Sequence, residues 1–311
     1  MRGMLECFKN LSVVGILLPA ALLLLPGPRA AAQDVITDDG VGGMTMLFAH
    51  STPDPAALAM GSTAAVGVQN PAYAAFSNPV SVLWSENRFQ AGVGAFPGSR
   101  ISAAASGRVG GRIALAAGFC SQSGESYILY DGGGCPTGQY SPRYITAGFG
   151  AAARIAGPLS IGLNVKYLRQ DLAEQAIDDA LAADIFAAVE FAGFRIAAGM
   201  STLRLSGASS LPTSITAGAG YRRNFGQHAV DAALQMDWYP GASGALQAGA
   251  GAAYSFRDML FLRAGYCHCS AQAPLTSFVS LGAGLKIRFA RLDFTWIPTD
   301  GTVCAGLGVA F

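Results

Sequence analysis

The chain has 311 residues, 51% of them hydrophobic and only 13% charged, with 40 glycines and a formal net charge of +1. Soluble domains carry about 25% charged residues, so this composition argues against one, and the near-neutral balance excludes the basic surface of a nucleic-acid binder. Yet beyond residue 32 no apolar run reaches the ~20 residues a membrane helix needs.

Arg2 and Lys9 form a positive start, and Leu11 to Leu25 follows as an apolar run. Pro26-Gly27-Pro28-Arg29 and Ala30-Ala31-Ala32 come next. This order predicts a secretory signal over residues 1–32, cut after Ala32. The run is short for a membrane anchor and is closed by helix breakers. The mature chain has about 280 residues, enough for one large domain or two small ones.

Residues 33–87 do not read as sheet. Pro53, Pro55, Pro71 and Pro79 would interrupt ladders. A stretch of about 55 residues is too long for a bare linker, and Pro55 can begin a short helix at Ala56–Met60. The segment reads as a plug, lying inside the lumen or on the periplasmic side of a barrel that begins at residue 88.

From residue 88 onward the pattern has period two. In 159–171, Ile161, Leu163, Val165 and Tyr167 share one face; Gly162, Asn164 and Lys166 share the other. The stretches 228–239 and 277–289 repeat this, and the second face stays small and polar. A closed transmembrane antiparallel β-barrel satisfies such a pattern, with apolar residues toward lipid and small polar ones toward the lumen. The predicted fold is all-β, with about fourteen strands: 88–97, 99–106, 112–120, 143–155, 159–171, 181–192, 194–204, 213–223, 228–239, 245–255, 259–268, 277–289, 291–298 and 302–311. The barrel thus occupies 88–311. Most strands are near the ~9–11 residues a tilted span requires.

Long connections at 121–142, 173–180, 205–212, 240–244 and 269–276 alternate with tight ones near Gly157-Pro158, Gly193, Asn224-Phe225-Gly226, Arg257-Asp258 and Ala290. Bacterial barrels keep short turns in the periplasm. The predicted location is therefore the outer membrane of a Gram-negative bacterium, with both mature termini periplasmic and lipid around the wall. The chain ends on Phe311, on the face of Val303, Leu307 and Val309. That ending resembles the C-terminal signal read by the barrel-assembly machinery.

Inward glycines such as Gly148, Gly150, Gly249, Gly251, Gly282 and Gly306 either admit a second backbone or ease bending of the wall. Arg112, Arg154, Arg195, Arg222, Arg263, Arg288 and Arg291 fall near the tight turns. They make either a basic mouth on the periplasmic side of the lumen or one half of an ion-pair network with acids such as Glu190 and Asp293. Cys120 and Cys135 flank the longest loop, and a disulfide there would contribute about 3 kcal/mol. Cys267-His268-Cys269 has the look of a metal fragment, but a closed site needs about four ligands. The alternative is a loop tip with redox-active or disulfide cysteine. His50, His228 and His268 fall into no catalytic motif. No enzyme activity and no cofactor are expected.

The segment before the barrel carries a resemblance. Thr52-Pro53-Asp54-Pro55 through Met60-Gly61, then Ala65-Val66-Gly67-Val68, then Asn78-Pro79, is similar to the N-terminal region of the PorV/PorQ family, within the FadL-type fourteen-stranded barrels. The Arg typical of that stretch is missing, and Val80-Ser81 replaces the usual Ala-Gly. Pro53, Asp54, Met60, Gly61, Asn78 and Pro79 carry the match, which covers about 30 residues, and the Pro53-Asp54 and Met60-Gly61 pairs favour the PorV side over PorQ. The resemblance implies a component of the type IX secretion system of Bacteroidota, with that system's components and cargo C-terminal domains as partners. Other FadL relatives are conduits for hydrophobic small molecules, and the periodicity does not separate the two roles.

Overall fold

A strand with one apolar and one small polar face cannot leave its backbone unpaired in lipid, and a closed ring is the arrangement that pairs every edge. The structure is a computed structural model that describes residues 46–130, 133–173, 176–207, 211–241, 244–271, 273 and 275–311. The predicted signal at 1–32 lies outside the described residues. The strands are β1 (Phe89–Phe96), β2 (Arg100–Val109), β3 (Ile113–Ser123), β4 (Tyr127–Tyr130), β5 (Pro136–Tyr140), β6 (Arg143–Ala156), β7 (Leu159–Ala173) and β8 (Ala176–Phe191). They continue as β9 (Phe194–Gly207), β10 (Ser214–Phe225), β11 (His228–Tyr239), β12 (Ala245–Phe256), β13 (Leu260–Cys269), β14 (Phe278–Ile287), β15 (Ala290–Ile297) and β16 (Thr302–Ala310).

Fourteen strands form one closed antiparallel barrel, with β1 joined to β16 through Gln90 opposite Ala310 and Ala95 opposite Ala305. Every strand predicted from the alternation is present. The weak one, 99–106, is a full strand that runs on to Val109. Two expectations need correction. The loop 121–142 holds a hairpin of its own, β4 with β5. The hydroxyl of Tyr127 bonds the Leu172 carbonyl and that of Tyr140 bonds Asp171, so the hairpin leans on β7. The loop expected at 173–180 is mostly strand, because β7 and β8 continue pairing to Ala173 opposite Ala176. Polar residues there conceal the strand, since a strand extending past the membrane loses the need for an apolar outer face.

One end of the barrel carries only short turns, at 110–112, 157–158, 192–193, 226–227, 257–259 and 288–289. We call it the turn end, and the opposite one the loop end. Arg257 and Asp258 both have φ of 54°, and Ala192 and Gly193 have φ of 49° and 83°. Positive φ at both central residues suits the two-residue hairpin at 192–193, whose twist then follows that of its strands, and the 257–259 connection adds one residue to the same turn. The turn expected at Ala290 lies at 288–289, with Ala290 already paired to Ile287.

The outer face is apolar and open. Leu262 is 62% exposed and Leu234 61%, positions that make sense only against lipid. Trp238, Trp296 and Tyr254 stand on this face near strand ends, where interfacial aromatics belong, while Tyr167 stands on it mid-strand. At the turn end Phe311 fastens the seam. Its carbonyl accepts from the Arg88 and Phe89 amides, and its ring stacks on Phe289 at 5.7 Å.

The wall is irregular between β8 and β9. Ala183 faces Leu203 and Ile185 faces Met200, so Asp184 alone opposes Ser201 and Thr202. Thr202 has φ of 59°. This is a bulge of two residues against one, and a second lies at Leu205.

Candidate functional site: the plugged lumen

The lumen is filled by the chain's own residues 46–87. Alanine is the commonest residue of this stretch, which makes short helical turns at Leu47–His50, Pro55–Leu58, Pro71–Phe76 and Ser81–Trp84, two of them begun by proline. Most of its side chains are buried, including Met60, Val66, Tyr73, Val80 and Trp84. The segment enters at the loop end, where the Met46 amide donates to Gln170 Oε1 at 3.0 Å. There Arg100 reaches Ser51, donating to its Oγ at 2.6 Å and to its carbonyl at 2.8 Å. It leaves at the turn end, where Gln90 donates to Ser85 Oγ and Arg108 to the Glu86 carbonyl.

Each position of the Pro-Asp, Met-Gly and Asn-Pro pairs holds the plug in place. The Pro53 carbonyl accepts from Ser102 at 2.8 Å. Asp54 accepts from the Ala56 amide at 3.0 Å, which starts the helical turn as a cap does, and from Asn70. Asn78 donates to the Ala65 carbonyl at 2.8 Å and accepts from the Val80 amide at 3.0 Å. Pro79 packs on Gly150 and Gly162. Met60 and Gly61 lie on a shelf made by Gly249, Gly251 and Gly265, where a Cβ on Gly265 would stand 2.8 Å from Met60 Cα. The glycines of the inner face thus admit a second backbone, rather than only easing the bend of the wall. Gly220 and Gly284 instead make room for Arg195 and Arg263. Asn78→Ala is expected to strand a buried carbonyl and a buried amide, at about 1–3 kcal/mol each. Increased protease cleavage within 60–87 of the folded barrel would register it.

The arginines near the turns are divided by the fold. Arg195 pairs with Asp231 at 2.9 Å, and Arg263 with Asp293 at 2.9 Å, all deeply buried. Arg291 shares Asp293 at 2.5 Å and also donates to the Gln69 carbonyl of the plug. Arg222 and Lys286 converge on Asp258, and Arg154 faces Glu190 at 3.8 Å. Arg112 and Arg288 stand exposed on turns, outside the lumen. The lumenal arginines near the turns therefore meet carboxylates, but Arg154, Arg195, Arg222, Arg263, Lys286 and Arg291 share only Glu190, Asp231, Asp258 and Asp293, so the ion-pair network keeps an excess of positive charge at the turn end.

The disulfide expected between Cys120 and Cys135 is not formed. Cys120 turns into the lumen, where its sulfur accepts from Arg100 Nε at 3.5 Å. Cys135 is exposed, at the far end of the hairpin that the loop builds.

The sequence reading missed a cluster at mid-wall. Lys166 and Asp184 form a buried ion pair at 2.6 Å. Lys166 also donates to the Phe76 carbonyl at 2.9 Å, and Asn164 donates to Ser77 O at 2.7 Å and to Asp184 at 3.1 Å. The other oxygen of Asp184 accepts from the Thr202 amide in the bulge, at 2.8 Å. One carboxylate therefore ties the plug to the irregular wall. A lysine at the middle of an inward face was the visible sign.

Several cavities remain among the described residues. One of about 230 Å³ opens at the turn end beside Trp84, Glu86, Arg195 and Arg291. One of about 70 Å³ lies toward the loop end beside His50, Ser62, Thr202, Ser214 and Asp237. Their linings mix polar and apolar groups, and plug residues line both. Among the described residues no group of three or more His, Cys, Asp or Glu is placed to hold a metal ion.

No family model matches the chain, and no curated protein does. Solved structures do. The Pseudomonas putida toluene transporter TodX superposes with a TM-score of 0.61 at 12% identity, over 84% of this chain and 99% of TodX. The Ralstonia pickettii toluene transporter TbuX gives 0.57 at 13% identity, over 85% of this chain and 98% of TbuX. The monoaromatic hydrocarbon channel CymD gives 0.56 at 13% identity, over 82% and 95%. The fold is shared with these outer-membrane hydrocarbon transporters. In this barrel the N-terminal segment and the wall are one packed unit.

Proposed function

We propose that the chain is an outer-membrane conduit for small hydrophobic molecules, closed in this state by its own N-terminal segment. The observation that carries the reading is a plug seated in a closed fourteen-strand barrel whose fold is shared with toluene transporters. A solute of that class must displace part of the plug, because the remaining cavities are small and separated. The barrel would stand in the outer membrane with its turn end in the periplasm, as short turns do in bacterial barrels. The test is uptake of labelled toluene by cells that lack their own hydrocarbon channel. Uptake no faster than in empty-vector cells, for the wild type and for a variant with a loosened plug, would sink the proposal.

A second reading rests on the Pro53-Asp54, Met60-Gly61 and Asn78-Pro79 pairs: a PorV-like component of a type IX secretion system that binds cargo C-terminal domains. Those pairs are all engaged in seating the plug, so they support a shared way of closing a barrel more than a cargo surface. Affinity capture from outer membranes decides. Recovery of secretion components or sorting domains favours the second reading, and their absence removes it.

Phe311 is the proposed contact for the assembly machinery. Phe311→Ala is expected to lower the amount of heat-modifiable, membrane-inserted barrel severalfold. An unchanged amount would return the residue to its packing role against Phe289.

A further inference from the structure

The Cys267-His268-Cys269 triplet neither fastens the plug by hydrogen bonds nor pairs charge. It stands at the loop end of β13. The period of the strand turns His268 outward and brings both sulfurs to the inner face, 3.7 Å apart. Cys267 is fully buried against Phe278, Ile297 and the plug residue Leu58. Cys269 is half-buried beside Tyr239 and Ala273, within reach of the loop end. Its backbone is fixed on both sides by Ser277, whose hydroxyl accepts from the Cys269 amide at 2.8 Å and lies 3.3 Å from the Cys269 carbonyl.

This spacing suits one chemistry better than another. A disulfide wants its two Cα atoms within about 6.8 Å. Residues i and i+2 of an extended strand lie about 6.8 Å apart, so the bond would sit at the limit of its range in a strand held by β12 at both cysteines and by β14 up to Cys267. A tetrahedral cation bonded to two thiolates at about 2.3 Å spaces them by about 3.8 Å, close to the distance present. Thiolates select soft ions such as Cu(I) and Zn(II). Gln247, directly opposite Cys269 on β12 and buried, is an oxygen donor in the same row.

We propose that Cys267 and Cys269 form a two-thiolate site for a thiophilic d10 cation at the loop-end rim of the lumen. Binding exchanges the two thiol protons for the metal, and no electrons move. With two protein thiolates the site is open, and water or Gln247 completes it.

The test uses the full, folded chain in detergent, purified with reductant and transferred to reductant-free buffer under argon. The probe is Cd(II) alone. The expected result is a single cadmium equivalent per chain with an ultraviolet sulfur-to-cadmium charge-transfer band. Cys267→Ser and Cys269→Ser should each abolish both, while Cys304→Ser and Cys135→Ser leave both intact. Cys269 is only half-buried, so its serine variant keeps the barrel folded, and heat-modifiable migration checks this. A band that survives in Cys269→Ser overturns the site. So does a folded wild type that gives no band, or a Cys267–Cys269 disulfide that reductant does not open.

Discussion

Gly265→Val is expected to unseat the plug and make the barrel leak. The inner face of β13 at this point touches the main chain of Met60 and Gly61. A first side-chain carbon would stand 2.8 Å from Met60 Cα, and backbone has no rotamer by which to yield. Overpacking of this kind costs about 1–3 kcal/mol. Applied to a closed–open balance of the plug, that shifts the open population about 5- to 150-fold. Single-barrel conductance in planar bilayers should rise within that range. Gly138→Val on β5 is the control, because an added carbon there meets nothing within 4 Å. A Gly265→Val barrel as closed as the wild type would mean that the wall gives way and the plug does not.

The largest loss of stability is expected from Asp184→Ala. It leaves Lys166 buried without its partner and frees Asn164 and the Thr202 amide. Breaking a buried ion pair from one side costs about 3–5 kcal/mol. The urea midpoint of the barrel refolded in detergent should fall accordingly. Replacing both partners, Lys166→Met with Asp184→Leu, should restore much of the loss, since no unpaired charge then remains. Glu190→Ala sets the scale at the other extreme. Its bridge to Arg154 is long and about a third exposed on both sides, and such pairs contribute about 0–1 kcal/mol. If Asp184→Ala falls in that lower range, the mid-wall cluster is not what holds plug to wall.

The wall was legible because lipid on one side and a packed lumen on the other enforce period two, and the tight turns keep phase. Where one of those constraints lapses, the pattern fades. Tyr127-Ile128-Leu129-Tyr130 is apolar on both faces, so β4 shows no alternation. Ile177-Asp178-Asp179 is strand, yet it carries acids because it no longer needs to meet hydrocarbon. The site was half legible. Arg195 and Arg263 were visible as charges in a greasy chain, but their partners lie 36 and 30 residues away, at Asp231 and Asp293, two strands further along the meander, and only the register of the intervening β10 and β14 brings them together. Cys120 illustrates the reverse. Its nearness to Cys135 in sequence counted for nothing once the strand turned its sulfur inward toward Arg100.

The path of residues 46–87 has a consequence for how the protein is made. The segment enters at the loop end, traverses the lumen and joins β1 at the turn end, so the chain passes through its own ring. The ring is sealed last in sequence, by β16 meeting β1, a pairing of high contact order and therefore slow. Either the seam zips shut around a thread already in position, or the thread must be drawn through a finished hoop. The shelf that grips Met60 and Gly61 is built from β12 and β13 alone. A half-formed wall can therefore catch the thread before the seam exists, and variants that lose this grip should close late as well as leak.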